Sequence, residues 1–188
     1  MTADVELTSE IVSAVGSDGH TYSVRPYQWS VDKIDEFSTR VAKLRIYSDA
    51  APMTPDRVAY IVLSGKALWF DVIDERDDSS VGLMCLTNFQ SMPDGRPYEA
   101  EWHALVWDSH VGIRRSVAQA ALKKFFYLFK LHRIQVRIAL KFGGTIRNAK
   151  RIGFVEEGVL RSSARYNGVW YDQLMLSLLA SEAEQWAI

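Results

Sequence analysis

The chain has 188 residues, of which 48% are hydrophobic and 12% aromatic, so it suits one folded domain and is not a disordered chain. Its formal net charge of −1 lacks the strong basic excess that most nucleic-acid-binding proteins carry, so nucleic acid is not an expected partner. It contains one cysteine, Cys85, so no intrachain disulfide can form, and no stretch is long and apolar enough for a membrane helix.

The first residues of the chain, 1–19, are polar and are predicted to form an N-terminal arm that ends in a glycine-containing turn. Residues 20–188 show no linker composition and are predicted to form a single domain. The start of the chain is acidic and lacks the apolar run of a signal peptide, so we expect a cytoplasmic protein, or one within a particle if its role is structural.

Hydrophobic periodicity in the first half of the domain predicts an alternation of short strands and helices. In chain order, the pattern predicts a strand at 21–25 that ends at Pro26, a helix over 30–47 capped by Ser30, a second short helix from Asp56, and strands at 67–73, 80–86 and 98–107. Cys85 lies in an apolar run and is expected to be a buried hydrophobic residue rather than a nucleophile.

The second half of the domain has the clearest helix, over 116–131, because its apolar residues form one wide face. A strand at 134–140 follows, and Thr145 is expected to cap a short helix that ends at Gly153. The pair Asn167-Gly168 is typical of a tight hairpin turn and joins two strands predicted at 154–164 and 171–179. Strands and helices in this order indicate a mixed α/β layer around one sheet.

Three segments in the last third of the chain, 131–138, 151–161 and 166–172, carry a resemblance to a known family. They contain, at matching spacing, Gly153-Phe154, Gly158, Arg161, Asn167-Gly168 and Asp172. These residues resemble the C-terminal half of the GNAT N-acetyltransferases, in particular the subfamily that acetylates ribosomal-protein N-termini. The resemblance implies an α/β GNAT-like fold, with a mixed, mainly antiparallel sheet of about six to seven strands and helices on both faces.

The family binds acyl-CoA through a loop whose backbone N–H groups meet the pyrophosphate at a helix N-terminus. The corresponding loop, 110–116, departs from the family pattern because its only glycine is Gly112. Aligned by the helix, Arg114 stands at the family's central glycine; aligned by Gly112, Arg114 takes the position of the last small residue. The resemblance implies acetyl-CoA as the cofactor and contacts to it from Gly112, Ile113, Arg114, Arg115, Ser116 and Thr145.

Candidates for acid–base chemistry lie on the strand at 98–107. Glu101 and His103 share one face of that strand because strand side chains alternate, and Glu101 matches a position where relatives often carry an acidic residue. Many relatives carry a tyrosine acid where this chain has Ala149, so Tyr166, and after it Tyr171, are the candidates for that role. Each of these residues also has an ordinary structural interpretation in packing or ion pairing.

Two functions remain open from the sequence. The first is an acyl-CoA-dependent N-acyltransferase that acetylates a primary amine of a protein or small molecule. The alternative is a catalytically inactive GNAT-like binding or structural protein, with a protein partner or an assembly such as a virion; homo-oligomers are left open. The alternative depends on the cofactor-loop departures, on the tryptophans, and on the stretch 114–151, which is basic and contains no acidic residue. An open groove between diverging strands would favour the enzyme, whereas a groove filled by Phe142 or Arg114 would favour the inactive protein.

Overall fold

The computed structural model describes residues 11–44, 49, 53–107 and 114–186. These residues form eight strands and five helices. The strands are β1 (Val12–Val15), β2 (Thr21–Pro26), β3 (Leu68–Asp74), β4 (Ser79–Ser91), β5 (Pro97–Val106), β6 (Arg133–Ala139), β7 (Val155–Tyr166) and β8 (Val169–Leu179). The helices are α1 (Val31–Leu44), α2 (Pro55–Leu63), α3 (Arg114–Phe129), α4 (Gly143–Ile152) and α5 (Ala180–Ala183).

All eight strands belong to one sheet in the order β1-β2-β3-β4-β5-β6-β8-β7. Neighbouring strands run antiparallel except β5 and β6, which run parallel because α3 connects them as a crossover. The mixed, mainly antiparallel sheet that the sequence predicts is therefore confirmed, with one strand more than expected. The extra strand, β1, lies within the predicted arm and pairs with β2 from Val12↔Val24 to Val15↔Thr21.

The helices cover both faces of the sheet. On one face, α3 packs over a core that includes Tyr22, Phe70 and Phe125, each fully buried. Burying one such ring contributes roughly 2–3 kcal/mol. On the other face, α1 and α2 bury Phe37 and Val58 against the sheet. The predicted helices on both faces are thus confirmed.

Two local features match the sequence analysis closely. Ser30 Oγ accepts a hydrogen bond from the Lys33 backbone N–H at 3.4 Å, so Ser30 caps α1 as predicted. Asn167 and Gly168 have φ angles of 51° and 80°, the left-handed pair that a two-residue hairpin turn requires. Cys85 is 4% exposed, and its burial raises the pKa of the thiol well above the usual range, which fits a packing role.

Most predicted boundaries differ from the structure by one or two residues, and three features differ in other ways. The predicted strand at 80–86 continues to Ser91, because its register with β5 shifts and then resumes at Gln90. Thr145 was predicted to cap α4, and this was wrong: the helix begins at Gly143, and the Phe142 carbonyl accepts its first backbone bond from Ile146 at 3.1 Å. The predicted helix over 30–47 is a helix to Leu44, and its remaining residues lie outside the described part.

No helix among the described residues has the length and apolar character needed to cross a membrane.

Candidate active site

The parallel strands β5 and β6 stay together only at their beginnings. They pair at Glu99↔Arg133, Ala100↔Ile134 and Glu101↔Gln135, and then separate, although β5 continues to Val106 and β6 to Ala139. On their outer sides both remain paired, β5 with β4 and β6 with β8. We call the diverging segments, 102–106 and 136–139, the splay. Within the described chain, the backbone groups on its inner edges have no strand partner.

A cavity of about 310 Å³ opens in the splay. Its lining alternates between the two faces of the sheet, because successive strand residues point in opposite directions. Trp102 and Val136 belong to the core under α3, whereas His103 and Arg137 project toward the face of α1 and α2. The cavity therefore runs through the sheet between its two layers of helices.

Glu101 lies beside this cavity, at the point where the strands begin to separate. The residue is 5% exposed. Its Oε2 atom accepts hydrogen bonds from Arg137 Nη2 and, at 2.9 Å, from Asn88 Nδ2. Burial raises the pKa of Glu101, but the Arg137 hydrogen bond, the charge of His103 and the Asn88 bond outweigh it, so the pKa lies below the usual value. Glu101 is thus an ionised, paired carboxylate at neutral pH.

His103 lines the cavity with a side chain that is 37% exposed. Its Nε2 atom lies 3.1 Å from Thr87 Oγ1 and 3.7 Å from Glu101 Oε1. Desolvation lowers the pKa of His103, the Glu101 charge opposes this, the Arg137 charge adds to it, and the pKa lies below the usual value. A neutral imidazole beside an anionic carboxylate can accept a proton, because the carboxylate stabilises the cation that results.

Tyr166 lines the same cavity from β7, and Thr145 does so from α4. Tyr166 is 8% exposed, and burial raises its pKa, so the phenol keeps its proton at neutral pH. Its ring packs edge-on against Phe142 at 5.4 Å and against Tyr171 at 6.0 Å between centroids. The Lys141 ammonium caps these rings and lies 3.7 Å from the Tyr166 centroid. Phe142 therefore packs into the cavity wall and does not fill the cavity.

The predicted cofactor loop is only partly described. Gly112 and Ile113 lie outside the described residues. Arg114 is the first residue of α3, but its side chain also lies outside the described part. In the first turn of α3, Arg115 is exposed and Ser116 is half-buried.

The structure thus brings His103, Tyr166 and Thr145 to one cavity and places Glu101 next to it. The sequence analysis missed the part that Arg137 plays, although it recorded this residue within a basic stretch. The available signal was its position on a strand of alternating character, where Gln135 and Arg137 form the polar face beside the predicted strand of Glu101.

Comparison with solved structures identifies the architecture. Mycobacterium smegmatis RimJ in complex with CoA-disulfide superposes with a TM-score of 0.74 at 19% identity, over 94% of this chain and 90% of RimJ. The chain has the GNAT fold. Two further GNAT structures agree with this assignment. Vibrio cholerae spermidine N-acetyltransferase in complex with CoA and spermine gives a TM-score of 0.71 at 20% identity, covering 87% of this chain and 98% of that enzyme. Ribosomal-protein-S5-alanine acetyltransferase from Vibrio fischeri gives 0.65 at 18% identity, covering 86% and 94%.

At the sequence level the likeness to GNAT proteins is more local. A probable N-acetyltransferase of Bacillus subtilis, YjcK, is 32% identical over 74 residues, which are 39% of this chain and 41% of YjcK. No protein-family model matches the chain. The match thus spans less than half of the length of YjcK.

Proposed function

We propose that this protein is an acyl-CoA-dependent N-acetyltransferase that modifies a primary amine of a protein or small molecule. The observation that carries the proposal is the open cavity in the splay, with His103, Tyr166 and Arg137 in its lining. The fold of CoA-bound acetyltransferases and the similarity to a probable N-acetyltransferase support it.

The splay fits the pantetheine arm of acetyl-CoA. Unpaired backbone N–H and C=O groups of a strand edge seek partners, and the amides of an extended arm can supply them as a strand would. The lining is mostly apolar, with Val106, Val117 and Ile138 among its members, and so suits a thin, largely uncharged chain. We propose that residues 112–116 meet the phosphates and that Thr145 contacts the arm.

Acyl-CoA supplies a thioester whose carbonyl carbon the amine attacks, so that a C–N bond forms as the C–S bond breaks. We assign proton removal from the amine to His103, which is neutral and faces the cavity. Glu101 is a weaker candidate for the base because Arg137 and Asn88 already hold its charge. Its Oε1 atom, 3.7 Å from His103 Nε2, stabilises the imidazolium, and Thr87 Oγ1, 3.1 Å from the same nitrogen, orients the ring. Tyr166, kept protonated by burial, can donate a proton to the sulfur of the leaving thiol.

The alternative of an inactive binding protein is less well supported. It relied on tryptophans at an interface, but Trp69 and Trp102 are 9% and 7% exposed and pack in the two cores. Trp170, in contrast, is 59% exposed. Trp69 and Trp102 therefore stabilise the two cores and are not available to contact a partner.

Titration calorimetry with acetyl-CoA tests the proposal. Ala104 is exposed on the splay and lines the cavity, so Ala104→Trp should block the arm without disturbing a core. Ala42→Trp, at an exposed position on α1, is the matched control. We expect the wild type and the control to bind acetyl-CoA and Ala104→Trp to bind at least tenfold more weakly. No binding by the wild type at millimolar acetyl-CoA would contradict the proposal.

A further inference from the structure

Arg137 has more hydrogen-bonding capacity than its known partner uses. A guanidinium group carries five N–H donors, and in the described structure the hydrogen bond of this side chain runs from Nη2 to Glu101. The side chain is 38% exposed and lines the cavity. The side chain of this charged group therefore borders the cavity with N–H donors that its hydrogen bond to Glu101 does not use.

The rest of the lining does not neutralise this cation. The described residues that line the cavity include no aspartate or glutamate. Glu101 lies next to the cavity, and its Oε2 atom accepts hydrogen bonds from Arg137 and Asn88. The other polar side chains there, such as His103, Thr145 and Asn148, are uncharged or neutral at physiological pH. Carboxylates stabilise the ammonium groups of a polyamine, and the lining contributes none from the described residues.

The phosphates of CoA do not account for Arg137. They belong at the start of α3, whereas Arg137 lies on β6 two residues beyond the last β5–β6 pair, where the strands begin to separate. An uncharged pantetheine arm would leave the remaining guanidinium donors facing amide and apolar groups. Arg137 already pairs with Glu101, and its remaining N–H donors can serve a second anion, because the planar guanidinium matches a carboxylate with two parallel hydrogen bonds.

We propose that the cavity binds a carboxylate of the reacting molecules through the Arg137 guanidinium group. The carboxylate has two sources, a dicarboxylic acyl group on the donor or an amino-acid acceptor. This inference rests on the proposed function and names the chemical class of its substrate. Arg137 then distinguishes a carboxylate-bearing substrate from its neutral analogue, because the neutral form leaves the charged donors unpaired.

Binding measurements on two substrate pairs test this. Calorimetry compares succinyl-CoA with acetyl-CoA and, with CoA bound, L-alanine with L-alaninamide. In one of these pairs we expect the carboxylate form to bind about tenfold or more tightly, as for a hydrogen bond to a charged group. A preference in the first pair locates the carboxylate on the donor, and one in the second pair locates it on the acceptor.

The variants are chosen to avoid leaving a charge buried alone. Arg137→Gln combined with Glu101→Gln removes the cation and its counterion together, and should abolish the preference. Arg133→Gln combined with Glu99→Gln is the matched control, because these residues form a similar ion pair on the same two strands, at 2.7 Å, but do not line the cavity. The preference should survive in this control.

The inference is overturned if acetyl-CoA binds but neither pair shows a preference, or if the preference persists in the double variant. Either result leaves the proposed acetyltransferase intact. If neither thioester binds, the proposed function fails and the carboxylate inference fails with it.

Discussion

Glu101 and His103 lie two residues apart on β5 but differ in what each can do. The carboxylate is buried, ionised and held by Arg137, whereas the imidazole is neutral and reaches the cavity. Because Arg137 and Asn88 already bind the Glu101 carboxylate while the neutral imidazole lines the cavity, we assign proton acceptance to His103 and stabilisation of the resulting charge to Glu101.

The division of roles makes a prediction about pH. His103 must be neutral to accept a proton, so kcat/KM should rise as the pH increases through its pKa, which lies below the usual value of about 6.5. The charge of Glu101 raises this pKa, and the charge of Arg137 lowers it. Glu101→Gln should therefore shift the acidic limb of the kcat/KM profile to lower pH, and His103→Gln should remove the limb and lower kcat.

Glu99→Gln provides the comparison for this pH profile. Glu99 lies on the same strand and face but pairs with Arg133, so its replacement should leave the limb in place. A shift to higher pH in Glu101→Gln, or an unchanged limb in His103→Gln, would show that another group accepts the proton.

At the scale of the elements, the close pairing of β4 with β5 fixes the outer wall of the splay. Gly82 pairs with Val106 at the end of β5. A Cβ atom on Gly82 would overlap the Leu105 carbonyl oxygen and lie 3.1 Å from Val106 Cα. Both neighbours are backbone atoms in a paired strand, so they cannot move aside as a side chain would.

We therefore expect Gly82→Ala to lower the free energy of unfolding by about 1–3 kcal/mol, as overpacking does in a tight core. Urea denaturation measures this loss. Gly158→Ala is the control, because a Cβ there has nothing within 4 Å and the residue also lies in a strand, β7. Its effect should be neutral or slightly stabilising, since alanine restricts the unfolded chain. Equal losses in both variants would contradict the steric explanation.

The same strands show how far the sequence alone reached. Alternation along β5 was enough to place Glu101 and His103 on one face, because that depends only on local geometry. The partner of Glu101 was not predictable in this way. Arg137 reaches Glu101 through the parallel register of β5 with β6, and this register depends on how α3, which connects the two strands, packs on the sheet. Strand β1 was missed because its four residues carry too short an alternation to distinguish from a polar arm.

At the scale of the whole molecule, many carboxyl groups are more acidic in the folded protein than in a free chain. Hydrogen bonds and nearby cations lower the pKa of Asp18, Asp49, Asp74, Asp77, Asp94, Glu101 and Glu157. Each such group stabilises the fold while it is ionised, and protonation removes that contribution. Asp71 is the opposite case, since burial raises its pKa. The fold as a whole should lose stability as the pH falls below about 4.

Asp74 at the end of β3 is the sharpest test of this behaviour. Its side chain is 2% exposed, and Arg76 donates to its Oδ2 from Nη2 at 2.5 Å. These bonds lower the pKa of Asp74 from 3.8 to about 2. The contribution is therefore complete above about pH 4 and disappears as the pH falls through about 2. Because Arg76 is half exposed, Asp74→Asn should cost roughly 1–2 kcal/mol at pH 7.

The comparison that decides the matter is the pair Asp94–Arg96. It repeats the same spacing, with Arg96 Nε 2.7 Å from Asp94 Oδ2, whereas Arg76 donates to Asp74 from both Nη2 and Nε. Both side chains of the Asp94–Arg96 pair are exposed, at 51% and 77%. Solvent screens an exposed pair, so Asp94→Asn should change the free energy of unfolding much less than Asp74→Asn. Urea denaturation between pH 7 and pH 2 measures both variants. The deficit of Asp74→Asn should shrink toward zero at the acidic end, because the wild-type carboxylate loses its charge as the pH approaches its pKa of about 2. A deficit that stays constant with pH would mean that packing, and not the charge, stabilises this strand end.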